Sequence, residues 1–198
     1  MYYYLKGKLA AVHPTYAVVD CQGVGYHVHI SLHTYSQIEK SEEILLYTHL
    51  AIKEDAHVLY GFFHPDEKTL FQLLISVSGV GTGTAQLILS ALTPDSIRNA
   101  ILREDDLTFK AIKGIGEKTA KRIILDLKDK VGKEHDTKIS PVGTVSSHNS
   151  FQSEALSALI ALGFQRQKSQ QVLAVISQKQ SFQSVEELIK LALKQLSS

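Results

Sequence analysis

The spacing of apolar residues changes twice along the chain, and the first part alternates between apolar and polar side chains. Tyr26-His27-Val28-His29-Ile30 shows this alternation most clearly, as a half-buried β-strand does. Residues rich in β-branched and aromatic side chains predict strands over 2–12, 16–21, 26–30, 44–53 and 57–63. A run of about five or six short strands within residues 1–64 predicts a small closed barrel, with an OB-type fold as the leading candidate.

From residue 65 to about residue 133 the apolar residues recur with helical spacing instead. Asp66 is expected to cap the first helix, and Thr93 followed by Pro94 to start another. Segments 78–89 and 113–124 repeat one pattern at an offset of 35 residues: glycine, apolar residue, glycine, two variable residues, Thr-Ala and an apolar run. Two copies in matching helical contexts predict an all-α domain of two helix-hairpin-helix units back to back.

The last third of the chain divides into a polar stretch and a small helical module. Residues 134–150 lack periodicity and are expected to form a flexible linker. Residues 151–198 carry three short helical patterns and a turn at Gly163-Phe164, which predict a small three-helix domain. Leu173 and Leu191 lie outside the main apolar faces of their helices. Contact with a partner and simple exposure to solvent are equal alternatives for them. A module this small is marginal alone, which favours a role in binding a partner.

The paired glycines point to phosphate binding. They supply tight turns, and the amides that follow lie at a helix N-terminus, where the unpaired N–H groups and the helix dipole favour an anion. One such motif alone is more often a plain structural turn, but the repeat and the cations of the second copy favour phosphate. The residues predicted to form this phosphate-binding site are Gly79, Val80, Gly81 and Thr84 in the first copy and Gly114, Ile115, Gly116, Lys118, Thr119, Lys121 and Arg122 in the second.

Charge and composition narrow the possible functions. The chain has 198 residues, a net charge of +1 and one cysteine, which excludes an intrachain disulfide framework and fits a reducing, cytoplasmic setting. From the distribution of apolar and charged residues we expect neither a secretory signal nor an apolar run long enough to span a membrane. The sequence has no GxxxxGK[ST] phosphate loop, so an ATPase activity of its own is not predicted. His27 and His29 share a strand face without a third ligand at informative spacing, so no metal site is predicted.

The order of barrel, two hairpins, linker and three-helix domain resembles the RuvA family, the Holliday-junction-binding subunit of the bacterial RuvAB branch-migration machine. The resemblance covers essentially the whole chain except the linker. The motifs that carry it are Gly23-Val24-Gly25-Tyr26, Glu54-Asp55-Ala56, Leu59-Tyr60-Gly61-Phe62, Thr69-Leu70-Phe71, Gly79-Val80-Gly81, Gly114 to Ala120 and Ala161-Leu162-Gly163-Phe164. One departure is Thr82-Gly83, where the family usually continues with Pro-Lys, so a strong ionic contact is not expected there.

The resemblance implies a non-catalytic protein that binds four-way junctions independently of sequence, holds them open and recruits the hexameric ATPase RuvB for branch migration in recombination and DNA repair. It implies a homotetramer, with a dimer of tetramers and the RuvC resolvase as further options, and no cofactor. The turn at Glu54 and Asp55 corresponds to an acidic pin near the junction centre. The last domain is expected to be UBA-like and to contact RuvB through Leu159, Leu162, Phe164 and Leu193.

Other interpretations of the same residues stay open. The hairpins are also compatible with a helix-hairpin-helix nuclease or glycosylase, and the last domain with a protein-binding adaptor. Taken alone, Glu54-Asp55 is most simply a solvated hairpin turn. The tyrosines at positions 2, 3, 4 and 60 are compatible with base stacking, but strand packing is favoured for them.

Overall fold

The computed structural model describes residues 2–138, 147–179 and 184–196. The chain divides into two compact units, Met1–Ile139 and Ser140–Ser198. The first unit contains a β-barrel and a helical region, and the second contains three helices. The barrel, the tandem hairpins and the small helical domain therefore occur in the predicted order.

Five strands close the barrel in the spatial order β1-β2-β3-β5-β4. They are β1 (Tyr4–His13), β2 (Tyr16–Cys21), β3 (Val24–Ile30), β4 (Glu43–Ile52) and β5 (His57–Phe62). All neighbouring pairs are antiparallel except β3 and β5, which run parallel. Alternate side chains fill the interior, including Val19, Val28, Ile30 and Leu46. This confirms the predicted OB-type barrel.

A short helix, α1 (Leu32–Ile38), lies between β3 and β4 and was not predicted. Ser31 caps it, because the serine Oγ accepts a hydrogen bond from Thr34 N at 3.0 Å. The parallel pairing of β3 and β5 needs a crossover connection, and α1 with β4 forms that connection.

The helical region of the first unit begins at Pro65, the predicted residue, but its first helix starts two residues earlier than a cap at Asp66 would give. Its helices are α2 (Pro65–Ile75), α3 (Thr82–Ala91), α4 (Pro94–Leu102), α5 (Asp106–Lys110) and α6 (Glu117–Lys138). The prediction that Asp66 caps α2 is wrong: His64 is the N-cap residue, and Pro65 takes the first helical position. Proline fits there because its missing N–H would have no partner in the first turn. Thr93 caps α4 as predicted, accepting from Ser96 N at 3.2 Å.

A buried carboxylate joins the barrel side of this unit to α2. Glu67 is fully buried and accepts hydrogen bonds from Ser31 Oγ and from Thr34 Oγ1, the latter at 2.6 Å. Beside it, the rings of Phe62 and Phe71 lie 5.0 Å apart, which brings the end of β5 onto α2. Two independent contacts thus fix where the helical region begins.

The second unit consists of α7 (Ser147–Ala161), α8 (Arg166–Lys179) and α9 (Val185–Leu196) around one apolar core. Leu173 is buried in that core, so both alternatives given for it, partner contact and isolated exposure, are wrong, whereas Leu191 is partly buried against the core. Helices also extend into both ends of the predicted linker, since α6 reaches Lys138 and α7 begins at Ser147. The rest of that linker, residues 139–146, lies outside the described residues.

Candidate nucleic-acid interface

The two glycine hairpins have the same backbone geometry. Gly79 and Gly114 adopt φ angles of 92° and 89°, a conformation that side chains with a Cβ rarely take. The next residue closes the turn in each copy: Val80 N donates to Val77 O at 3.0 Å, and Ile115 N donates to Ile112 O at 3.1 Å. The side chains of Val80 and Ile115 are both only 5% exposed. The side chains of these two predicted contact residues are therefore closed to DNA, and their N–H groups already donate within the turns.

The second glycine of each pair has a different role. Gly81 and Gly116 directly precede α3 and α6, and neither has a positive φ angle. A Cβ placed on either one would have no atom within 4 Å outside its chain neighbours. Neither strain nor packing within the protein requires glycine there. The open space lies where the helix N-terminal amides face outward, so an anion can approach the backbone closely.

The cations of the second hairpin differ in how they are held. Lys121 Nζ lies 2.6 Å from Glu117 Oε1, and this pairing lowers the pKa of Glu117 and raises that of Lys121. Arg122 Nη1 donates to Ser78 Oγ at 3.3 Å, which links the second hairpin to the first. Lys118 is exposed and forms no ion pair with any residue that the structure describes. The charge of Lys118 is thus available to an anion, and Thr119 beside it is half-buried.

The first hairpin carries hydroxyl groups instead of charge. Residues 78–84 read Ser-Gly-Val-Gly-Thr-Gly-Thr and contain no cation. Tyr60 Oη donates to Thr82 Oγ1 at 3.0 Å, so a barrel side chain holds the first residue of α3. Thr84 is half-buried, and Gly83 has open space around its Cβ position. This hairpin can bind phosphate through amides and hydroxyls, as its sequence predicts.

The acidic turn lies at the N-terminal end of β5, the strand that carries Tyr60. Glu54 and Asp55 sit between β4 and β5, closed by a hydrogen bond from Lys53 N to Ala56 O at 2.9 Å. Both carboxylates are exposed, and neither is in an ion pair within the part of the chain that the structure describes. The turn therefore projects two solvated negative charges from the barrel.

The predicted partner-binding residues of the second unit divide by exposure. Leu159 is fully buried in the three-helix core, and Phe164 and Leu193 are partly buried against it. Leu162 is 60% exposed at the start of the turn after α7. Leu162 is therefore the one of the four whose side chain is mainly available to a partner.

Metal-binding clusters and membrane-spanning helices are both absent from the described residues. Among them, no group of three or more histidine, cysteine, aspartate or glutamate residues is arranged to hold a metal ion. None of the helices in the same ranges combines the length and apolar character that crossing a bilayer needs.

Comparison with known proteins identifies the family. Three family models match: RuvA N terminal domain over residues 1–61, SAM-like Helix-hairpin-helix tandem over residues 71–129, and RuvA, C-terminal domain over residues 150–197. The Holliday junction branch migration complex subunit RuvA of Christiangramia forsetii is 49% identical over 197 residues, covering 99% of this chain and 100% of that protein. The chain belongs to the RuvA family. The proteins of the same name from Cytophaga hutchinsonii and Bacteroides fragilis are 48% and 46% identical, covering 96% and 98% of this chain and 98% of each relative.

Two contacts of this RuvA family member were missed from its sequence. The pairs Tyr60–Thr82 and Ser78–Arg122 join residues 22 and 44 positions apart, and a local pattern does not reveal such contacts. One feature of the sequence repeat indicated that the two hairpins differ. Ser78 occupies the position that Lys113 takes in the second copy, so the two hairpins had to differ in how that position is used.

Proposed function

We propose that this protein is the junction-binding subunit of a branch-migration complex. It would bind four-way DNA junctions through structure rather than sequence, hold them open and recruit the RuvB ATPase, without catalytic activity of its own. The observation that carries the proposal is the pair of equivalent hairpins, each ending in a glycine that nothing in the protein requires. The names of the relatives, which describe a subunit of a Holliday junction branch migration complex, support the same conclusion.

The contacts available at the hairpins favour sequence-independent binding. Backbone amides, the hydroxyls of Thr82 and Thr84, and the charges of Lys118, Lys121 and Arg122 suit phosphate oxygens. Reading a sequence needs side chains that reach base edges in a groove, and the short turns offer few of these. Such hairpins alone would bind any duplex, so junction preference must come from how several copies are arranged.

That arrangement is part of the proposal. A homotetramer, with a dimer of tetramers as an option, would surround the junction centre with copies of the Glu54-Asp55 turn. Like charges next to the crossover phosphates would disfavour stacked strands and guide them into separate arms. We divide the roles among residues 1–64 (barrel and junction centre), 65–133 (duplex binding), 134–150 (linker) and 151–198 (RuvB binding). RuvC is a further partner, and the cytoplasm is the proposed compartment, consistent with the free thiol of Cys21.

The experiment that tests this function mixes the pure protein with four-way and duplex substrates and Mg²⁺, with and without RuvB and ATP. We expect no cleavage or base release by the protein alone, and branch migration only when RuvB and ATP are both present. Cleavage or base release by the pure protein would favour the nuclease or glycosylase alternative. Failure to bind four-way DNA would favour the protein-binding adaptor.

A further inference from the structure

A row of aromatic and imidazole rings crosses the outside of the barrel and ends at the first hairpin. His13 stacks on Tyr16 and Tyr16 on His27, both with ring centroids 4.6 Å apart. His27 contacts His29 at 5.0 Å, and His29 contacts Tyr60 at 5.7 Å. We call these five residues the ring ladder. Because Tyr60 also donates to Thr82 Oγ1, the ladder meets the first residue of α3.

The ladder lies where barrels of this type bind nucleic acid. His13 and Tyr16 flank the β1–β2 turn, and His27 and His29 lie on β3. In OB folds the face of strands 2 and 3 and the adjoining loops form the oligonucleotide-binding surface. The ladder therefore reaches the first hairpin at Tyr60, and its other residues occupy the face of the barrel that usually binds the ligand.

The ring edges along the ladder are available to a ligand. Tyr16 is stacked on both sides by His13 and His27, so a base cannot insert there. His13 and His27 are exposed, and neither their ring nitrogens nor those of His29 form a hydrogen bond with the residues that the structure describes. A neutral imidazole always carries one N–H donor, and a protonated one carries two. The exposed edge thus presents donors that lack a protein acceptor.

The first hairpin is the place where such donors matter most, since residues 78–84 carry no cation. We propose that the ring ladder binds the phosphate backbone of the duplex arm held by the first hairpin, with the imidazoles of His13 and His27 donating to phosphate oxygens. This inference rests on the function proposed above. Burial, and then the neighbouring charge of His27, lowers the pKa of His29. His29 therefore acts as a neutral spacer that carries the row from β3 to Tyr60.

The test uses variants that keep the stacking and remove the donors. The double variant His13→Phe with His27→Phe retains both rings, and His33→Phe on α1 serves as a control outside the ladder. With full-length protein and a four-way junction, we expect roughly tenfold weaker binding for the double variant, from the loss of two hydrogen bonds. His33→Phe should bind as the unmodified protein does, and thermal unfolding should show that all variants are folded.

Lys118→Ala in the same assay separates the two proposals. If Lys118→Ala weakens binding and the double variant does not, the ladder inference is wrong while the hairpin function stands. If neither change weakens binding, both are wrong. A second measurement uses the unmodified protein: the imidazole carbon-bound protons of His13 and His27 should shift on adding junction DNA, and those of His33 should not. Strong quenching of 2-aminopurine in the arm, caused by the unmodified protein and lost in the double variant, would show base stacking and overturn the backbone contact.

Discussion

Arg122 Nη1 donates to Ser78 Oγ at 3.3 Å and so connects the two glycine hairpins directly. The guanidinium comes from the cation-rich copy, and the hydroxyl from the copy that has no cation. An arginine carries five N–H donors in a planar fork, so one can bind the serine while others face a phosphate. The charge of the second hairpin is thereby placed at the edge of the first.

This contact predicts different outcomes for its two partners. Arg122→Ala should weaken junction binding at least tenfold and reduce the log–log salt slope by about 0.9 for each bound protomer, because each protomer loses one phosphate contact. Ser78→Ala should leave that slope unchanged, since the guanidinium remains. The measurement is fluorescence anisotropy over a salt series, with Arg103→Ala, an exposed arginine at the end of α4, as the control. An unchanged slope for Arg122→Ala would contradict the predicted phosphate contact.

The paired glycines allow fold and binding to be tested separately. Gly114→Ala should lower the free energy of unfolding by about 1–2 kcal/mol, because alanine is strained at a φ angle of 89°. Gly116→Ala should not lower the stability, since its Cβ would have open space, but it should weaken DNA binding by crowding the approaching phosphate. Chemical denaturation and a junction-binding assay on the same samples provide both readings. Full binding by a well-folded Gly116→Ala protein would show that the second glycine does not serve the ligand.

The acidic turn should act on movement of the junction rather than on affinity. Replacing Glu54 with Gln and Asp55 with Asn removes two exposed charges and keeps the side-chain shapes. We expect binding to stay the same or become tighter, because repulsion from phosphates is removed, and the rate of RuvB-driven branch migration to change. Binding and migration assays on one preparation measure both effects. Weaker junction binding by this variant would be incompatible with repulsion at the crossover.

The three-helix unit predicts different effects for substitutions at two leucines that lie three positions apart, Leu159 and Leu162. Leu162→Glu changes an exposed side chain, so the domain should stay folded while stimulation of RuvB is lost. Leu159→Glu puts a charge into the core and should destabilise the unit by about 3 kcal/mol or more. Circular dichroism and RuvB ATPase measurements distinguish the two, with removal of residues 151–198 as the reference. Normal ATPase stimulation by the shortened protein would overturn the assignment of this domain.

Much of this fold could be predicted from the sequence because its signals are local. The alternation in β3 predicts a strand, and the glycines of the hairpins predict left-handed turns before helices. The helix α1 was missed because its seven residues, Leu32–Ile38, offer too few apolar positions to show a period. Asp66 was predicted as the cap from its residue type, whereas Pro65 occupies the first helical position and the cap lies two residues earlier, at His64.

The site was only partly predictable, for a different physical reason. The amides and cations of each hairpin lie within one segment, so the repeat reveals them. The contacts Tyr60–Thr82 and Arg122–Ser78 depend on how the barrel and the helices pack, and the ring ladder depends on strand register. A sequence pattern records which groups are present, but these contacts follow from the folded chain.

The most direct test of the central claim compares a four-way junction with a linear duplex of the same arm sequence at matched salt. Gel-shift titrations with the full-length protein measure both affinities under one condition. The account predicts clearly tighter binding of the junction, retained when the arm sequences are changed. Equal affinity for the two DNAs would contradict it, because the hairpins would then be general duplex-binding elements without an arrangement that recognises the crossover.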